Sequence, residues 1–227
     1  WPKWKEAMDA EMESHETHRT WSREANPMDG SQIIPGMWVF ALKLDKYGNI
    51  IKYKARWCAR GDMQPRDSKD NFAGTVRASS LRIMYSISSS GFWVHGVCDV
   101  TAAYLQTPMP DDKPVFMQQP QGYDDGSGDV LRLLLNLWGT RAAARNWQND
   151  LVAFLEGYGF VATKLDAHLH RYEGPDGVIF LCTYVDDLPH IASTTAAMTR
   201  FHAAISAKWK VTFGDPERAD RRAHVGT

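Results

Sequence analysis

Two carboxylates side by side, Asp186 and Asp187, close the apolar run Val178-Ile179-Phe180-Leu181-Cys182-Thr183-Tyr184-Val185. That run follows the turn signal Gly174-Pro175-Asp176-Gly177 and predicts a buried strand that delivers two negative charges to its end. Successive strand side chains point to opposite faces, so both carboxylates reach one site only if the backbone turns there. Held together they repel unless cations lie between them, and Mg²⁺ takes carboxylate oxygens. Two ions on shared carboxylates are the apparatus of two-metal phosphoryl transfer. Asp doublets are also ordinary loop features. Asp111-Asp112 and Asp124-Asp125 lie beside Pro, Gly and Lys and read as solvated loops. Spacing alone leaves Asp186-Asp187 open between a metal site and a polar turn.

Other charged residues add to the question. Asp99 follows the apolar segment Phe92 to Cys98, where an acid either caps the next helix or joins the carboxylate pair. Between Lys43 and Arg60 the chain carries six Lys or Arg and one Asp. In a strand from Ile50 to Arg60, Ile51, Tyr53, Ala55, Trp57 and Ala59 share one face, and Lys52, Lys54, Arg56, Cys58 and Arg60 share the other. Such a stripe is either a solvated outer face or a grip for phosphates. A formal net charge of −1 lacks the global basic excess of a nucleic-acid binder, so a polyanion site has to be local. Three widely spaced cysteines, Cys58, Cys98 and Cys182, read as reduced thiols in apolar strands rather than bridges or a zinc site. The histidines show no metal-ligand spacing, and His168 and His170 read as surface residues of a strand. No apolar stretch has the length of a membrane span, and no signal peptide opens the chain. The expected setting is intracellular, a cytoplasmic particle or the nucleus, with no membrane partner. A start at Trp1 without Met gives the expectation of a piece of a longer polypeptide.

The elements that would position these residues are legible in outline. Trp4, Ala7, Met8, Glu11 and Met12 recur at helical spacing before a break at Thr20-Trp21. Trp38, Phe40, Leu42 and Leu44 alternate as in a half-buried strand, and Asp45 to Asn49 turns the chain into the Ile50 strand. Leu81, Met84, Tyr85 and Ser88 space a helix that Gly91 ends. Trp147, Leu151, Phe154, Leu155 and Tyr158 space another that stops at Gly159, and Met198, Phe201, His202, Ile205 and Trp209 a third. Pro65 to Asn71 and Gln119 to Asp129 read as linkers. Hairpin, helix, strand, helix, hairpin, helix is an α+β order with a mainly antiparallel sheet.

With these blocks in sequence, the chain resembles the reverse transcriptase of copia-type LTR retrotransposons from about Trp4 to Gly214. The resemblance is carried by Trp38-Val39-Phe40 with Lys43, Tyr53-Lys54-Ala55-Arg56 with Ala59-Arg60-Gly61 and Gln64, and Arg77 with Ser80-Leu81-Arg82. It continues in Cys98-Asp99-Val100 with Ala103-Tyr104-Leu105, Val115-Phe116-Met117 with Gln119-Pro120 and Gly122-Tyr123, Gly139 with Arg145 and Trp147, and Tyr184-Val185-Asp186-Asp187-Leu188. A lone Tyr-x-Asp-Asp is weak; ordered blocks with family-like spacing are specific.

The resemblance implies a right-hand polymerase of fingers and palm with the thumb largely missing. Residues 1–90 would hold fingers and the start of the palm, 91–213 the palm with a fingers segment, and 214–227 the truncated start of the thumb. It implies that Asp99, Asp186 and Asp187 are catalytic and hold two Mg²⁺, with Mn²⁺ as a substitute and the Val100 carbonyl as a backbone ligand. Lys54, Arg56, Tyr104 and Gly139 would contact the nucleotide. Tyr104 matches the ring that excludes a ribose 2′-hydroxyl, or else is a core aromatic. The implied partners are an RNA or DNA template with primer, deoxynucleoside triphosphates, and downstream thumb and ribonuclease H segments of a parent polyprotein. Departures favour an alternative, a non-catalytic decayed or co-opted fragment with residual nucleic-acid binding. Ala142 and Ala144 replace the family's usual Gln and Pro, and Pro189 stands in the returning strand of the catalytic hairpin, where it deletes a ladder donor unless the strand is an edge.

Overall fold

The computed structural model describes residues 1–65, 71–89 and 91–214. Most of the Pro65 to Asn71 linker reading and the thumb-start segment beyond Gly214 lie outside the described residues. The first elements are α1 (Pro2–His18), β1 (Trp21–Glu24), β2 (Ile33–Ile34), β3 (Gly36–Leu44), β4 (Ile50–Ala59), α2 (Ala78–Ser89) and β5 (Val94–Val100). A 3₁₀ turn at Ala103–Gln106, β6 (Phe116–Met117), β7 (Val130–Leu133) and α3 (Ala143–Tyr158) follow. The chain continues with β8 (Val161–Ala162), β9 (Leu169–Gly174), β10 (Gly177–Cys182), β11 (Asp187–Ala192), α4 (Thr195–Lys208) and β12 (Val211–Gly214). Two compact units result, Trp1–Asn71 with Tyr104–Trp147, and Phe72–Ala103 with the chain from Gln148 onward.

In the first unit, β3 and β4 form an antiparallel hairpin in the register Trp38↔Trp57, Phe40↔Ala55 and Leu42↔Tyr53. These pairs share one face, as the alternation requires, and α1 covers it. Trp4 stands edge-on to Phe40 at 5.0 Å and to Tyr53 at 4.8 Å, geometry that suits the ring quadrupoles. The other face carries Val39↔Arg56, Ala41↔Lys54 and Lys43↔Lys52. A second sheet in this unit, in the order β1-β7-β6-β2, is antiparallel except for the parallel β2–β6 pair.

The second unit is built on a six-stranded antiparallel sheet, β12-β5-β11-β10-β9-β8. On one face α2 seals a core of Val76, Met84, Leu169, Cys182 and Ile191. On the other, Phe201 and Ile205 of α4 are fully buried, and Phe201 meets the Phe160 ring edge-on at 5.5 Å. The N-terminus of α2 is fixed by Asp166, whose carboxylate accepts from the Arg77 N–H at 2.9 Å, the Ser80 hydroxyl at 2.7 Å and the His168 N–H at 2.9 Å. His170 is not a surface residue. Strand β9 lies between β8 and β10, and its alternation turns His170 inward to 2% exposure. Burial first, then the neighbouring His168, pushes the His170 imidazole down to about 4.

Candidate active site

Strands β5 and β11 are neighbours, and their register sets Asp187 directly opposite Asp99. Directly opposed residues share a sheet face with Cβ atoms roughly 4.5–5.5 Å apart. Asp186 joins through the backbone, its carbonyl accepting the Val100 N–H at 2.9 Å. Asp99 is thus a strand residue paired on both sides, with Asp187 and with Thr212, and not the cap of a following helix. Strand β10 ends at Cys182 rather than running to Val185. Tyr184 and Asp187 then exchange both backbone hydrogen bonds at 3.0 Å, leaving Val185-Asp186 as a two-residue tip.

Val185 has φ 55°, a left-handed conformation that a β-branched residue adopts only under strain. Ala102, two residues past Val100, has φ 50°. Two of the three described non-glycine residues with positive φ therefore stand beside the carboxylates. Cys98, fully buried next to them, has its thiol pushed up to about 12, by burial first and then by the charges of Asp99 and Asp187.

All three aspartates are half-buried. Their hard oxygen donors suit Mg²⁺ in kind. Among the described residues, however, no three His, Cys, Asp or Glu side chains form a group arranged to hold a metal ion. Strand pairing brings the backbone positions together; it does not by itself converge the side chains.

The nucleotide-contact candidates lie in the first unit. Lys54 and Arg56 occupy the hairpin face away from α1, with Lys43 and Lys52 directly opposed across the strands. Like charges so opposed are destabilising without a counter-charge. Lys54 shows it: burial first, then Arg56 and Lys43, hold its ammonium below its ordinary value. Arg56 lies over the Trp138 ring at 4.6 Å, and Tyr104 packs on the same indole at 4.4 Å. Trp138 thus joins an arginine and a tyrosine far apart in sequence, a link that spacing did not reveal.

Gly139 has φ 86°, and a Cβ there would meet the Ala59 carbonyl oxygen at 2.2 Å. A Cβ on Gly61 would likewise meet the Gly139 carbonyl oxygen at 2.0 Å. Both glycines permit close backbone approach, which the Ala59 N–H to Trp138 carbonyl bond at 2.7 Å and the Arg141 N–H to Gln64 bond at 2.7 Å fasten.

The departures have structural readings. Ala144 lies in the first turn of α3, where proline is favoured but alanine equally continues a helix. Pro189 is harder to accommodate, because β11 lies between β10 and β5. The β10–β11 register pairs Ile179↔Ala192, Phe180↔Ile191 and Leu181↔His190, lapses, and returns at Tyr184↔Asp187. Pro189 falls in the lapse, opposite Cys182, at a position whose N–H would have faced β10.

The family model described as reverse transcriptase (RNA-dependent DNA polymerase) matches residues 18–217. The Pol polyprotein of transposon RE2 from Arabidopsis thaliana is 28% identical over 92% of this chain and 14% of its own length. That of RE1 from the same plant is 30% identical over 82% of this chain and 13% of its own. That of TNT 1-94 from Nicotiana tabacum is 28% identical over 80% and 14%. The chain therefore spans about 14% of the length of the curated relatives it matches. It belongs to the reverse transcriptase (RNA-dependent DNA polymerase) family, among the copia-type retrotransposon Pol polyproteins.

Proposed function

We propose that the chain is the polymerase segment of a retrotransposon Pol polyprotein, extending a primer with deoxynucleotides on an RNA or DNA template. The register that sets Asp187 opposite Asp99, at the foot of the strained Val185 tip, carries this reading. In it, residues 1–90 hold fingers and the start of the palm, 91–213 the palm with a fingers segment, and 214–227 the truncated start of a thumb. Asp99, Asp186 and Asp187, with the Val100 carbonyl, would hold divalent ions, whose chemistry when bound would be to acidify the primer hydroxyl and to neutralise the leaving pyrophosphate. Lys54 and Arg56 neutralise the triphosphate, which relieves the repulsion now borne by the hairpin face. Tyr104, held by Trp138, sorts the sugar.

The test is primer extension on a homopolymer template with Mg²⁺ and with Mn²⁺, comparing the parent with Asp187→Asn. Extension by the parent and its loss in a folded variant is the expected result; equal signals would remove the carboxylates from the chemistry. A second reading, a decayed or co-opted fragment that keeps the fold, is favoured by Pro189 in an interior strand. It predicts no extension with either metal, although Lys54 and Arg56 retain salt-sensitive binding of primer–template.

A further inference from the structure

On the face of the six-stranded sheet opposite α2, His190 of β11 meets two residues of α4. Its Nε2 lies 2.8 Å from the Nε2 of His202 and 3.1 Å from the Sδ of Met198. Its Nδ1 lies 2.8 Å from the Leu188 carbonyl oxygen. A carbonyl only accepts, so Nδ1 carries the hydrogen. His190 is fully buried, and with its hydrogen on Nδ1 the neutral ring presents a lone pair at Nε2. The Met198 sulfur also offers only lone pairs. Three electron-pair donors therefore converge, with at most one hydrogen, on His202 Nε2, to place among them.

We infer that His190, His202 and Met198 form a site for a soft monovalent cation, Cu(I), bound through two imidazole nitrogens and a thioether. Thioether with imidazole is the donor combination that selects Cu(I) over harder ions. The Nδ1–H bond to a backbone carbonyl is the outer contact that fixes a ligating histidine's tautomer and aims its other nitrogen. Room for the ring comes from Gly96, where a Cβ would stand 2.4 Å from His190 Nε2. Two nitrogens each about 2 Å from one ion stand roughly 3.3 Å apart, so the pair has to open by about 0.5 Å. His202 can supply that movement, being half-exposed and held by stacking on Phe213 at 4.0 Å rather than by enclosure. The inference is independent of polymerase activity.

The experiment uses the 227-residue chain carrying Cys58→Ser, which removes the half-exposed thiol, since Cys98 and Cys182 are buried. Anaerobic Cu(I) titration against bicinchoninate is expected to show one equivalent bound. Met198→Leu conserves volume and His202→Gln sits at a half-exposed position, so both variants should melt near the parent temperature. Each should weaken Cu(I) binding by on the order of ten- to a hundredfold or more, as losing a direct ligand costs at least as much as losing an outer-shell partner. With Ag(I) as a redox-inert probe, the Met198 methyl and His190 ring resonances should shift together. No bound equivalent would overturn the inference. Undiminished binding in both variants would overturn it too, moving the metal to Cys182 and Met84, whose sulfurs lie 3.7 Å apart.

Discussion

Replacing Asp166 by alanine should cost more stability than any other single acidic substitution in the second unit. Asp166 is 4% exposed, and its carboxylate accepts from two backbone N–H groups and one hydroxyl, at 2.9, 2.9 and 2.7 Å. Hydrogen bonds to a charged group contribute about 1.5–3 kcal/mol each, but they do not add, and the Ser80 hydroxyl can turn to another acceptor. Two part-buried N–H groups left without an acceptor, at about 1–2 kcal/mol each and with the anchoring of α2 already contained in the Arg77 bond, give a total of roughly 3 kcal/mol. For a chain of this size that corresponds to a fall in Tm of about 6–12 °C. Urea denaturation with an unchanged m-value is the assay.

The pH dependence sharpens it. Although burial raises the Asp166 carboxyl, the Arg77, His168 and Ser80 hydrogen bonds prevail and hold it below the usual carboxylate range. Its contribution is therefore fully present above the unfolded value of 3.8 and is lost as pH falls through the lower folded value. The Asp166→Ala deficit should shrink in acid. A deficit below about 1 kcal/mol at neutral pH, or one of equal size at pH 7 and pH 3, would refute the capping account.

Alanine at Lys54 or Arg56 should raise the KM for deoxynucleotide about tenfold while sparing primer–template binding; equal loss of both would mark the hairpin face as a template-backbone grip. Tyr104→Ala should admit ribonucleotides without abolishing synthesis, and unchanged discrimination in an active variant would reassign the ring to packing on Trp138. His170 is neutral in the fold down to about 4, whereas in the unfolded chain it protonates near 6.5. Unfolding then takes up a proton, so stability should fall from pH 6.5 toward 4, by up to roughly 3 kcal/mol. His170→Phe should flatten that slope, and a parent-like slope in the variant would place the acid sensitivity elsewhere.

Periodicity sufficed where one face of an element is buried and the other is not. The sorting of Lys54 and Arg56 from Tyr53, Ala55 and Trp57 holds in the β3–β4 register because the alternation is clean and one face takes α1. It did not suffice for short strands paired over long sequence separations. β1 with β7 and β2 with β6 have two to four residues each, too few to carry a period. Asp99 could be seen as an acid at a strand end, yet that β11 and not another strand lies beside it is a fact of topology. Alternation alone does not say which face of β9 is covered: His170 shares its face with Tyr172, whose ring packs on Tyr158 of α3 and on Phe160. Trp138 escaped notice because its partners Arg56 and Tyr104 meet it only through tertiary packing.

The lapse at Pro189 has a kinetic consequence. One missing rung separates the Tyr184–Asp187 tip from the Ile179–Leu181 ladder, so the tip is tied to the sheet mainly through β5, by the Asp186 carbonyl and the pairing at Asp99. Such a segment opens at a fraction of the global unfolding cost. In native-state hydrogen exchange the amides of Tyr184 and Asp187 should give up their protons well before those of Phe180 and Ile191. Strand β11, which begins at Asp187 directly after the Val185-Asp186 tip, is thereby hinged near its midpoint, and the position of Asp186 and Asp187 is a property of β5 as much as of their own hairpin.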